Sequence, residues 1–134
     1  MAQEVVVKDQ LTESMVALGK LLTNRLLAAN LDLVCAMWFY DPESNQWRFV
    51  LSSPQVDDRG PLHVYQVAQE ILRNAEFKGS GLKLQNMSAV TPTDSLIRAV
   101  RAAFKVDGGL AEIRLTRNRI NDVFVEDALV LFLR

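Results

Sequence analysis

The sequence predicts an α+β domain, a mostly antiparallel sheet covered by helices, with elements in the order α-β-β-α-β-α-β-β. Three observations carry this expectation. Leu33 to Ser53 and Ala111 to Leu133 each read as two strand-like runs around a short polar break, the pattern of a hairpin. Three other stretches space apolar residues three and four apart, as one face of a helix does. The run Leu33 to Tyr40 is apolar at both alternating sets, so it is expected inside a sheet with cover on each face.

Taken in order, the residues up to about Val7 read as a lead-in or a small strand. From Lys8 to Asn30 the stripe Leu11, Met15, Leu18, Leu22, Leu26 and Ala29 predicts an amphipathic helix. Asp9 or Thr12 suits its start, and Asn30 and Asp32 suit its end. Gly19 weakens this helix unless a close neighbour needs the space. In the first hairpin, the loop Asp41 to Gln46 sets Tyr40 opposite Trp47, Trp38 opposite Phe49 and Ala36 opposite Leu51. Ser53 to Gly60 reads as a polar loop. Pro61 suits the first turn of a helix running to about Phe77, with Leu62, Tyr65, Ala68, Leu72 and Ala75 as its buried stripe. Gly79 fits the position just past the end of that helix. Leu82 to Val90 reads as a third strand. Thr91-Pro92-Thr93-Asp94 starts a short helix to Lys105 that uses Leu96, Ile97, Val100 and Phe104. Gly108-Gly109 precedes the last hairpin. With Asn121-Asp122 as its turn, Ile120 faces Val123, Arg117 faces Glu126, Leu115 faces Ala128, Ile113 faces Val130 and Ala111 faces Phe132. That register sets apolar against apolar and cation against anion.

The chain has 134 residues, 49% of them hydrophobic and 23% charged, which is the composition of one globular domain, 1–134. A formal net charge of −1 gives no whole-molecule reason to bind nucleic acid or anionic membrane. The single cysteine, Cys35, has no partner for an intramolecular disulfide and is expected buried as a small hydrophobe. The start of the chain lacks the basic and apolar regions of a signal peptide, and no apolar run is long enough to span a bilayer. A soluble, cytoplasmic chain is the expectation.

The candidate polar site is drawn from two places. Asp57, Asp58 and Arg59 share the elaborated loop, where paired carboxylates beside an arginine suit a divalent cation or a phosphate. Glu126 and Asp127 interrupt an apolar strand but point to opposite faces, so they are expected to pair separately, Glu126 with Arg117 and Asp127 near Arg114 and Thr116. Arg98, Arg101 and Lys105 share one side of the short helix, and with Arg117 and Arg119 they offer phosphates a local patch. His63 has no G-x-S-x-G elbow to serve, and one His with one Cys leaves a zinc site short of ligands. Gly79 and Gly81 follow a helix and precede a strand, the reverse of a dinucleotide loop. No metal or cofactor is expected, and nucleic acid is disfavoured.

Two resemblances bear on function. Helix, strand, the turn Tyr40-Asp41-Pro42-Glu43-Ser44 and strand, from Met15 to Ser53, resemble the opening of GAF-type sensor domains. That likeness implies a small-molecule sensing module, although downstream the element order departs from the family. Glu112-Ile113-Arg114 with Asp107 upstream resembles the metal-dependent restriction-type nucleases. There Arg114 stands where the family has a lysine, and Asp107 is too close in sequence for the usual arrangement.

The leading expectation is a non-enzymatic protein-interaction domain that forms a homodimer. The closing strand places Leu129, Leu131 and Leu133 on the face opposite Ala128, Val130 and Phe132. Leucines beside Glu112 and Arg114 call for cover by a helix or by a second subunit. The sensing module and the nuclease-like enzyme are the alternatives.

Overall fold

The structure, a computed structural model, describes residues 10–134. The lead-in expected up to Val7, and Lys8 and Asp9 of the first expected helix, lie outside the described residues. Helix α1 spans Glu13–Ala28. Thr12 caps it, its Oγ1 accepting the Met15 amide at 3.1 Å. The helix is followed by Asn30 and Asp32 in left-handed backbone, φ +58° and +61°, which these two residue types tolerate. Its sheet-facing side carries Gly19, Leu22, Thr23 and Leu26.

Strands β1 (Cys35–Asp41) and β2 (Gln46–Ser52) form the first hairpin, with Tyr40 opposite Trp47, Trp38 opposite Phe49 and Ala36 opposite Leu51. The Trp38 and Phe49 rings meet edge to face at 5.4 Å, and those of Tyr40 and Trp47 lie 5.5 Å apart. Gly19 is where α1 touches this hairpin. A Cβ there would lie 2.5 Å from Trp38 Nε1 and 2.8 Å from Leu131 Cδ1. The absent side chain lets the helix approach closely enough for the indole N–H to donate to the Met15 carbonyl at 2.8 Å.

The loop after β2 holds a short helix, α2 (Gln55–Asp58), and leads into α3 (Pro61–Leu72). Two expectations are corrected here. Helix α3 stops at Leu72, and Ala75–Phe77 form a separate tight turn. The buried residues of α3 are Val64, Ala68 and Ile71, while Leu62 is 69% exposed. Tyr65 sits at the rim of that face, where its hydroxyl accepts the Ala89 amide at 3.0 Å. The third strand is also shorter than expected: β3 is Met87–Val90. Leu84–Asn86 make a turn, closed by the Lys83 amide on Asn86 Oδ1 at 3.3 Å. A local side-chain bond of this kind competes with strand pairing.

Helix α4 (Ser95–Ala103) starts on the capping residue Asp94, whose Oδ1 accepts the Leu96 amide at 3.0 Å. Strands β4 (Leu110–Ile120) and β5 (Val123–Leu133) close the chain. Among the described residues five strands lie in the order β3-β2-β1-β5-β4. Only β2 and β3 run parallel; the other pairs are antiparallel. The α+β class and the element order are those expected, with α2 added. On one side of the sheet, Trp38, Trp47, Phe49, Leu129 and Leu131 form a core with Leu22 and Leu26 of α1 and Val64 of α3. On the other side, Cys35, Met37, Val50, Ala128 and Val130 pack with Ile97 and Val100 of α4. No helix among the described residues is long and apolar enough to cross a membrane.

The last hairpin keeps the expected register from Ile120–Val123 through Leu115–Ala128 to Ile113–Val130, but Leu110, not Ala111, meets Phe132. Ladders with both neighbours shift at Leu131, with Ala36 opposite Phe132 and Met37 opposite Val130. Against β1, Leu131 is thus the extra residue of a bulge, and beyond it the faces exchange; against β4 the extra residue lies on β4, where Ala111 and Glu112 oppose Leu131. Phe132 joins the core on the α1 side and Leu133 the core on the α4 side, the reverse of the expectation. Gly109 makes room for this exchange, since a Cβ there would lie 2.4 Å from the Phe132 ring. Within the chain, α1 covers the face bearing Leu129 and Leu131, and α4 covers Leu133. The cover that the leucines called for is supplied without a second subunit.

Candidate functional site

The open side of β4 is the candidate site. Among the described residues β4 ends the sheet, so one row of its backbone groups faces outward over 11 residues. Its first part curves at a bulge of its own, where two residues, Ala111 and Glu112, stand opposite the single Leu131 and outside the β5 ladder. Beside this curve lies an open groove of about 410 Å³. Lys20, Thr23 and Asn24 of α1 form one wall, Leu110, Ala111 and Glu112 the other, and Leu131 the floor. Leu110 is 60% exposed, an apolar side chain left in water at the groove's mouth. Lys20 Nζ and Glu112 Oε1 form an ion pair that joins the two walls. Thr23 is buried and turns its hydroxyl inward, donating to the Gly19 carbonyl at 2.7 Å.

Farther along β4, Arg114 grips Asp127 of β5 with two parallel bonds, Nε to Oδ1 at 2.7 Å and an Nη2 bond to Oδ2 at 2.8 Å. The Asp127 side chain is 4% exposed against 49% for Arg114, so the carboxylate is buried under the guanidinium. This hydrogen bond pushes the Arg114 pKa further above its ordinary value. The guanidinium also lies 5.9 Å from the centre of the Trp47 ring, a cation–π contact. Arg117, in left-handed backbone at φ +49°, reaches Glu126 at 3.7 Å. That break returns Ile120, Val123 and Val125 to the α4 side, where all three join the core.

The residues of the sequence-derived polar site do not converge. Asp57, Asp58 and Arg59 are exposed at α2, past the end of β2, with β1 and β5 between that strand and β4. Arg114 with Asp127, and Arg117 with Glu126, form two separate pairs on the last hairpin. Among the described residues no three His, Cys, Asp or Glu side chains gather to hold a metal ion. Arg98 and Arg101 are exposed on α4, Arg101 donating to the Arg134 carbonyl at 3.0 Å. His63 Nε2 lies 3.2 Å from Gln55 Oε1. Cys35 is fully buried, and burial pushes its thiol up to about 12. Sequence reasoning missed Leu110, Lys20, Thr23 and Asn24. A signal existed for Leu110: it follows Gly108-Gly109 and stands out of phase with Ala111, Ile113 and Leu115.

A second concavity, a cleft of about 250 Å³, lies between α1 and the turn before β3. Met15, Leu18, Trp38, Trp47 and Leu82 give it an apolar lining, and Ser80 and Asn86 add polar groups. Comparison with family models, curated proteins and solved structures finds no match for this chain.

Proposed function

We propose that the chain is a non-enzymatic protein-interaction domain that self-associates through the open side of β4. The observation that carries this reading is Leu110, an exposed leucine at the mouth of an apolar groove beside a sheet edge. Exposed apolar surface next to unpaired strand edge is a template for another chain. Glu112, Arg114 and Arg117 of β4 form ion pairs with single partners and do not converge, which suits a contact surface better than a reaction centre. Sedimentation equilibrium tests the reading: the wild-type chain is expected to dimerise in the micromolar range, and Leu110→Glu to remain monomeric. A wild-type chain monomeric at high concentration overturns it.

A small-molecule sensing module is the second reading, favoured by the cleft lined by Trp38 and Trp47. Its test is tryptophan emission during titration with apolar aromatic compounds, with Leu82→Ala as the control variant.

A further inference from the structure

The geometry points to a two-fold contact in which the β4 strands of two copies pair antiparallel, with Ile113 opposite Ile113 on the axis. This inference rests on the reading of β4 as the contact surface and assigns its register and partner, a second copy of this chain.

Directly opposed residues of an antiparallel pair share a face of the sheet. On β4 the face toward α1 carries Leu110, which lines the groove; Glu112, paired with Lys20; and Arg114, over Trp47. The face toward α4 carries Ile113 and Leu115. Centring the pair on Ile113 sets Glu112 opposite Arg114 of the second copy, and symmetry repeats that pair. The same register sets Ala111 opposite Leu115 and Leu110 opposite Thr116. Charge meets opposite charge on the α1 face, where Leu110 also lies against Thr116, and on the α4 face Ile113 meets Ile113.

Neighbouring registers lack this self-complementarity. A two-fold axis requires opposed residues to share a face, so the axis moves by whole residues along β4. Centred on Arg114, arginine opposes arginine. Centred on Leu115, Arg114 meets Thr116 and Ile113 meets Arg117. Like charges directly opposite destabilise a sheet, and a one-residue slip changes every pair.

The local backbone sets the length of the contact. Arg117, at φ +49°, ends the extended run just after Thr116. The seven residues from Leu110 to Thr116 are the run that the Ile113 register pairs with itself. Ala111 and Glu112, outside the β5 ladder, fall within it. A closed, isologous pairing of this kind also covers the Leu110–Thr116 part of the open β4 edge.

Disulfide trapping tests the register in the full-length chain. Ile113→Cys is expected to cross-link to itself under mild oxidation. Leu110→Cys and Thr116→Cys are each expected to give no cross-link alone and to form a mixed cross-link when combined; both positions are exposed, so they remain usable if Ile113→Cys fails to fold. The native Cys35 is buried and serves as a silent background. Glu112→Arg, folded by circular dichroism, is expected to weaken association about tenfold, since it turns two attractive pairs into repulsive ones. Leu110→Cys or Thr116→Cys cross-linking to itself, or a dimer indifferent to Glu112→Arg, overturns this register and leaves the interaction reading standing. A chain that never dimerises overturns both.

Discussion

Gly19 shows how one residue governs the approach of a helix to a sheet. Its missing side chain lets α1 settle against Trp38 and Leu131, where a Cβ would stand 2.5 Å and 2.8 Å from their atoms. In an isolated helix Gly19→Ala would be favourable by about 1 kcal/mol. Here it forces the indole and the leucine aside, an overpacking cost of roughly 1–3 kcal/mol. Gly19→Ala is therefore expected to lower the urea midpoint, and a raised midpoint would show that the contact yields. Cys35 acts through burial, which outweighs the opposite pull of the Arg101 charge. Its thiol ionises at 9.0 when free and at about 12 in the folded chain. The unfolded chain loses this proton first as pH rises. The stability it contributes is thus fully present below 9.0 and is lost as pH climbs toward the folded value. Wild-type stability should fall relative to Cys35→Ala across that interval, by at most about 1.4 kcal/mol per pH unit. Parallel stability curves for the two chains would show that the thiol is not held neutral by the fold.

At the scale of an element, the closing hairpin joins two regular stretches through two breaks. The bulge at Leu131 exchanges the faces of Phe132 and Leu133, and the left-handed Arg117 returns the tip of the hairpin to α4. Gly109 is the hinge of the first exchange. It has φ +86°, and its Cα faces the Phe132 ring closely enough that a Cβ would lie 2.4 Å away. Gly109→Ala meets both a strained backbone and a collision, and is expected to cost roughly 1–3 kcal/mol. Guanidinium denaturation followed by circular dichroism measures it. A neutral result would mean that Phe132 swings clear and that the bulge tolerates a side chain.

For the whole molecule, the two cores share one sheet. Leu51 and Val50 are neighbours on β2 yet belong to opposite cores, and so do Ala36 and Cys35 on β1. Neither core can lose its strands while the other keeps them. We therefore expect the described fold to unfold in a single cooperative transition. Emission from Trp38 and Trp47 reports the α1 side, and reaction of the Cys35 thiol with an excess of reagent reports the α4 side. The two probes should give coincident urea midpoints. Separate midpoints would mean that α4 and its core melt on their own.

The sequence by itself determined the elements whose signals are local and repeated. The first hairpin follows from alternating aromatic residues around a six-residue polar break, and its three predicted pairs are those observed. Thr12, one of two candidates with Asp9, and Asp94 were legible as helix starts because a capping side chain acts on amides within three residues of it. The tight turn at Asn121-Asp122, both residues at positive φ, set the register of the last hairpin up to Ile113. Tertiary structure alone decided what depends on distant partners. Alternation along β5 could not reveal that Leu131 is an extra residue, because that bulge exists only in its ladder with β1. Nor could the spacing in α3 choose between its apolar sides, since Val64, Leu62 and Tyr65 are all apolar enough to be buried. The same holds for the candidate site. The carboxylates and arginines visible in the sequence pair off locally, whereas the groove needs α1 beside β4, two elements that more than eighty residues of chain separate. Periodicity encodes which side of an element is apolar; it does not encode which other element arrives there, because that choice is made by packing the whole chain at once.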